Sequence, residues 1–258
     1  MKIVSLTWAA NLAIGVMLMF TQGITAHAAE IKALGVVPLK TSVDVLAPQF
    51  ERTTGHKVTI SYAGSSDLIK RFAAGETFDA ALVWPAMIDR LVKEGKVAAG
   101  TRSDVARVAI GVAVKKGAPK PDISTADAVK RTLLNATSVS HSAEGASGVY
   151  LQNLLKRLGI AEEMKPKLRP VPGGPLVVGP VARGEVELAV ISIPFVFLEP
   201  GAELVGPLPG ELQEYVVYTA GVSATAGDVG AAGAFVRHLR SPDAAKVLRS
   251  QGLDPITP

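Results

Sequence analysis

Apolar and polar positions along this chain switch repeatedly between a two-residue period and a helical one. Residues 31–37 form a short apolar run, and residues 42–54 follow at helical spacing until Gly55 stops them. Residues 58–62, Val-Thr-Ile-Ser-Tyr, alternate strictly and predict a second strand. A helix is expected from the Gly64-Ser65-Ser66-Asp67 turn to about residue 74, then a buried strand over 80–84. Pro85 suits the first position of the next helix, which Gly95 closes. A long strand-like run covers 105–114. The second half repeats the idiom, with helices expected over 124–134, from about 148 to 158, and from the 172–175 turn to 183. Its strands are expected over 137–140, 168–171, 188–193 and 215–223, and two helices, 228–239 and 242–251, end the pattern.

Strands separated by single helices imply an α/β protein with mostly parallel sheets covered on both faces. The length suits two α/β lobes joined by a hinge, with the long strands at 105–114 and 215–223 as the crossing points. Lobe I is therefore expected to be discontinuous, 29–110 plus 218–258, with lobe II at 111–217. Residues 1–28 have a different character. Lys2 precedes a largely apolar run over 3–20, and Ala26-His27-Ala28 places small residues where a signal peptidase reads. A cleaved secretory leader is expected, with an uncleaved anchor as the rival reading.

Composition narrows the chemistry. The chain has no cysteine, so disulfides, thiolate metal sites, thiol nucleophiles and a lipoprotein anchor are all excluded, and the periplasm is the expected compartment. Removing the leader takes Lys2 with it and leaves 26 basic and 23 acidic side chains. The basic residues are dispersed, with Lys115-Lys116 and Lys165-x-Lys167-x-Arg169 the densest groups, and aromatics are few. Nucleic-acid binding needs a basic stripe with stacking platforms, so it is not expected. A mild positive balance still favours a small anion.

No phosphate-binding loop, dinucleotide fingerprint or Gly-x-Ser-x-Gly turn is present, and His56, His141 and His238 lack neighbours at metal-ligand spacing. No cofactor, metal or catalytic constellation is expected. What recurs is a junction of small residues where a strand passes into a helix: Gly64-Ser65-Ser66, Gly145-Ala-Ser147-Gly148 and Gly173-Gly174, with Val36-Val37-Pro38 a less polar fourth. Ser and Gly there can be ordinary caps and turns. Helix N-termini also offer unpaired N–H groups and partial positive charge, and in open α/β sheets such junctions gather where ligands bind.

These segments resemble the molybdate-binding family of periplasmic solute-binding proteins over nearly the whole mature length. The resemblance rests on Gln49-Phe50-Glu51-Arg52 through Gly55 and Val58, on Ser61-Tyr62-Ala63-Gly64-Ser65-Ser66-Asp67-Leu68, and on Phe72-Ala-Ala-Gly75. It continues in Phe78-Asp79-Ala80, in Gly148-Val149-Tyr150 through Leu158-Gly159, and from Phe235 through Ser241-Pro242 to Gly252-Leu253. It implies two α/β lobes closing over an oxyanion held by neutral donors. Ser65 matches the ligand-binding serine of the family, while Ser147 and Gly174 fall where backbone N–H groups reach the ligand. Two positions depart. Val37-Pro38-Leu39 stands where the family has Ala-Ser-Leu, so Pro38 brings neither hydroxyl nor N–H, and Ser192 aligns with a ligand-binding tyrosine. Hydrogen bonds to a buried charge contribute about 1.5–3 kcal/mol each, so these changes matter. The space beside Ser192, with Trp84 and His141, suits a larger organic anion such as a di- or tricarboxylate, although Trp84 also reads as a core residue and His141 as a structural or exposed one.

The function expected is a monomeric, non-enzymatic binding protein that delivers a small anion to an inner-membrane ABC importer permease. A binding protein for a small organic carboxylate is the alternative, with a secreted hydrolase on the same fold behind it. Ser66 joins Ser65 as a candidate ligand residue.

Overall fold

The computed structural model describes residues 28–143 and 146–256. The leader expected at 1–28 therefore lies almost wholly outside the described residues, as does Gly145. Within them the chain runs β1 (Glu30–Val36), α1 (Lys40–Thr54), β2 (Lys57–Ala63), α2 (Ser65–Ala73), β3 (Ala80–Val83) and α3 (Pro85–Lys93) into a long β4 (Ser103–Lys115). It continues with α4 (Ala126–Asn135), β5 (Val139–Ser142), α5 (Ala146–Arg157), α6 (Ala161–Met164), β6 (Leu168–Val171), α7 (Gly179–Arg183), β7 (Leu188–Ser192) and β8 (Ala202–Pro207). β9 (Tyr215–Val222), α8 (Val229–His238), α9 (Pro242–Ser250) and β10 (Leu253–Pro255) complete it.

β4 belongs to two sheets. Its first half, Ser103 to Ala109, pairs antiparallel with β9, and β10 pairs beside it. From Ile110 onward it pairs with β7, and from Gly111 with β8. The first sheet runs β2-β1-β3-β9-β4, and the second β4-β7-β5-β6. Three apolar clusters follow this division. Leu46, Phe50, Leu82, Ile88 and Phe235 lie in a core between the first sheet and its helices. Ile110, Val139, Leu151, Leu154 and Val190 fill one face of the second sheet. Ala113, Val177, Val181 and Ile191 fill its other face.

The register sets the direction of every strand end. β4 runs toward its crossing in the first sheet; β9 opposes it, β3 opposes β9, and β1 and β2 run parallel with β3. β1, β2 and β3 thus end on the crossing side. In the second sheet β4 runs away from the crossing, β7 opposes it with Ser192 opposite Ile110, and β5 and β6 run with β7. Their carboxyl ends therefore face the same zone from the other side. Two parallel-strand edges confront one another across the Ala109–Ile110 step.

The structure adjusts several sequence boundaries. β5 covers Val139–Ser142, two residues beyond the 137–140 expectation, because Thr137 is tied by its N–H and hydroxyl to the Glu187 carboxylate outside the sheet. Thr125 caps α4 by accepting from the Ala128 N–H, so the helix starts at Ala126, two residues after the expected 124. β8 and β10 were not anticipated, and both pair antiparallel with β4, so the sheets are mixed.

Candidate functional site

The first sheet presents three strand-to-helix junctions at one edge. Val36 is paired with Ala63, so the Val37 and Gly64 that follow them are side by side. Gly35 pairs with Leu82, which carries Trp84 to the same level on the next strand. Val37–Leu39 forms a 3-10 turn with Pro38 buried, and α1 starts directly after it. Gly64 is extended before α2, whose first turn carries Ser65 and Ser66, both exposed. Trp84 caps α3 through its carbonyl, which accepts from the Met87 and Ile88 N–H groups at 3.0 and 3.2 Å. Its ring packs at the margin of the first core.

The second sheet gathers the remaining junctions round Ser142, the last residue of β5. A Cβ on Gly148 would sit 1.8 Å from the Ser142 carbonyl oxygen, so the first turn of α5 lies directly on that strand end. A Cβ on Gly173, whose φ is +127°, would sit 2.7 Å from the Ser142 hydroxyl. Gly174, at φ +59°, adjoins the Phe195 ring. Ser147 in the α5 turn is buried, and so is Ser192 at the end of β7. Ser147 and Gly174 are thereby brought to a common strand end, with Ser192 on the neighbouring strand.

His141 is 5% exposed, and its Nδ1 lies 2.8 Å from the Ser142 carbonyl oxygen. A carbonyl only accepts, so Nδ1 carries a hydrogen, which leaves the lone pair on Nε2 whenever the ring is neutral. Val139 pairs with Leu188, and both belong to the α5-covered core; alternation along the strands puts His141, Val190 and Ser192 on that same face. His141 and Ser192 are thus one strand apart and two residues on.

The two edges touch where the Val37–Leu39 turn packs against the 3-10 segment Ile193–Leu198 that follows Ser192. Ser65 and Ser66 remain on the first edge. Arg71, Arg107 and Arg183 are engaged in surface ion pairs with Glu76, Asp254 and Glu185. Lys40, next after the Val37–Leu39 turn, pairs with Asp44 and lies over the Tyr62 ring. The donors at these junctions are accordingly neutral hydroxyls and N–H groups. Among the described residues no group of three or more His, Asp or Glu could hold a metal, and no helix is long and apolar enough to cross a membrane.

Sequence reasoning missed Ser142 and Phe195. Ser142 was readable in principle, as the end of a Ser140-His141-Ser142 run entering a small-residue turn. Phe195 gave no signal, since only the fold carries it to Gly174. Three buried hydroxyls, Thr41 and Ser42 near the start of α1 and Ser140 in β5, have no hydrogen-bond partner among the described residues.

A family model described as bacterial extracellular solute-binding protein matches residues 35–254. An aconitate isomerase from Pseudomonas sp is 37% identical over 217 residues, spanning 82% of each chain. The molybdate-binding protein ModA of Azotobacter vinelandii is 28% identical over 235 residues, covering 88% of this chain and 90% of that one. In three dimensions the chain superposes on the substrate-binding domain of a putative molybdenum ABC transporter from Clostridium difficile with a TM-score of 0.73 at 16% identity, covering 89% of this chain and all of that one. The sulfate-binding protein SubI from Mycobacterium tuberculosis gives a TM-score of 0.68 at 20% identity, with 89% and 88% covered. These neighbours share the two-lobed architecture.

Proposed function

Because this chain belongs to the bacterial extracellular solute-binding proteins, we propose that it captures a small organic polycarboxylate between its lobes, at the two confronting strand edges. The observation that carries the reading is the shared direction of those edges: β1–β3 and β5–β7 all end toward the β4 crossing. An anion held there meets helix-start N–H groups and hydroxyls from both sides, an arrangement suited to negative charge without a fixed cation. The lobes are 29–110 plus 218–258 and 111–217, and ligand selects the closed arrangement about the crossing.

Pro38 and Ser192 support this ligand class. Pro38 removes a donor from the first turn, and Ser192 is a short side chain at the end of β7. Fewer donors and more room disfavour a compact tetrahedral oxyanion and favour a longer anion with several carboxylates. The relative named for aconitate, a tricarboxylate, is 37% identical, and the relative named for molybdate 28%. A secreted, monomeric protein that hands its ligand to an ABC importer permease completes this reading. Capture of molybdate or a similar oxyanion is the second reading, favoured by the serine turn at Ser65-Ser66.

Thermal unfolding of the mature protein with cis-aconitate, citrate, molybdate, tungstate and sulfate separates the two. Stabilisation by the tricarboxylates alone is expected. Stabilisation by molybdate or tungstate alone transfers the assignment to the second reading, and no shift with any anion removes both.

A further inference from the structure

We infer that His141 carries a proton across the bound polycarboxylate, so that the cleft isomerises an unsaturated tricarboxylate as well as holding it. This rests on the polycarboxylate reading above. The three histidines of the described chain divide sharply. His56 accepts the Ala29 N–H at 3.1 Å through Nδ1 and stacks on Phe50. His238 bonds the Leu46 carbonyl through Nε2 at 3.1 Å and also packs on Phe50. Both serve the first core, away from the strand edges. His141 instead occupies the carboxyl end of β5, on the face it shares with Ser192 and beneath the α5 turn of Ser147 and Gly148.

Its chemistry is already set. The Nδ1–H bond to the Ser142 carbonyl fixes both the orientation of the ring and its tautomer. In the neutral ring Nε2 is the basic nitrogen, and the residue is only 5% exposed to bulk water. On a propene tricarboxylate the step balances with one such group. Nε2 takes a hydrogen from the methylene carbon, and the C–H electron pair spreads over the three carbons and their carboxylates. The imidazolium then returns the proton to the former vinyl carbon. The double bond has moved one position and its geometry is reset. No oxidant, reductant or water is consumed. Helix-start N–H groups facing the carboxylates stabilise the charge that spreads onto them. General acid–base groups of this kind contribute about 10²–10⁴-fold in rate.

The test uses the mature protein and cis-aconitate, following conversion to the trans isomer by proton NMR alongside thermal shift. The wild type is expected to bind and to convert. His141→Gln is expected still to bind and to convert at least about 100-fold more slowly, with His141→Asn as the second variant. Absence of any shift with cis-aconitate removes the polycarboxylate reading itself. Binding by the wild type without conversion overturns this inference and leaves that reading intact. Conversion retained by either folded variant assigns the proton to another group. Should neither variant fold, diethyl pyrocarbonate modification of wild-type His141, located by mass spectrometry, decides the matter. Conversion lost together with His141 acylation, both prevented by ligand, supports it, and conversion surviving acylation overturns it.

Discussion

A methyl group at position 148 has nowhere to go. The Cβ of an alanine there would meet a backbone carbonyl at 1.8 Å, and backbone cannot swing aside as a flexible side chain can. Gly148→Ala must therefore push the first turn of α5 off the end of β5. Overpacking of this kind costs about 1–3 kcal/mol, and because the turn carries the proposed N–H donors, ligand binding should fall with it. A urea titration and a binding isotherm on the same variant measure both effects. Ser65→Ala provides the contrast. Ser65 is exposed and its hydroxyl caps nothing, so its loss should leave the urea midpoint unchanged. If it faces a carboxylate, binding weakens by about 1.5–3 kcal/mol, roughly tenfold or more in Kd. Unchanged affinity in that variant would take the serine turn out of the site.

At the scale of elements, one side chain spans the handover of β4 from one sheet to the other. The Gln213 carboxamide accepts from the Ile110 N–H at 2.9 Å and donates to the Ile110 carbonyl at 2.9 Å, and it also reaches the Leu208 carbonyl at 3.3 Å. Gln213→Ala takes the acceptor from the Ile110 N–H, while the Ile110 carbonyl keeps the Leu208 N–H at 3.0 Å, at a cost of about 1–3 kcal/mol. Faster amide exchange at Ile110 should accompany the lower urea midpoint. A second element pair responds to pH. Burial of His238 between α8 and α1 holds its imidazole below the usual histidine range, against the opposing pull of the Leu46 carbonyl and Asp243. The folded state thus binds its proton less readily than the unfolded chain does. Its stability contribution is complete above about pH 6.5 and is lost as pH falls through the depressed folded value. Urea midpoints between pH 7.5 and 5 should decline in the wild type and decline less in His238→Gln. The elements themselves were legible because strand and helix periods differ, which is why β6 and α9 fall where the pattern put them. β8 was not legible: Ala-Glu-Leu-Val-Gly-Pro is half-exposed and short, and only its pairing with β4 makes it a strand. The 3-10 segment Ile193–Leu198 reads as a continuation of an apolar strand until Pro194 ends the ladder.

Over the whole molecule, three cores are joined through the strands that cross between the sheets, and this would make ligand binding visible as a global change. The first core takes residues from both ends of the described chain, Ile31 to Val108 and Tyr218 to Leu253, while the others use residues 110–212. The lobe boundaries expected from the sequence rest on its long strands, which the pattern makes recognisable. The sequence could not disclose which junctions meet, since that depends on strand direction, and direction follows from a register no local pattern contains. The same register yields a test. An anion bridging both edges adds contacts only when the lobes close, so ligand should contract the particle and stabilise the fold together. At a hundredfold excess over Kd the stabilisation is about 2.7 kcal/mol, or roughly 5–10 °C in Tm for a chain of this size. A smaller radius of gyration by X-ray scattering should appear at the same ligand concentration. Stabilisation without contraction would place the ligand on one lobe alone, and the confronting edges would then have no shared role.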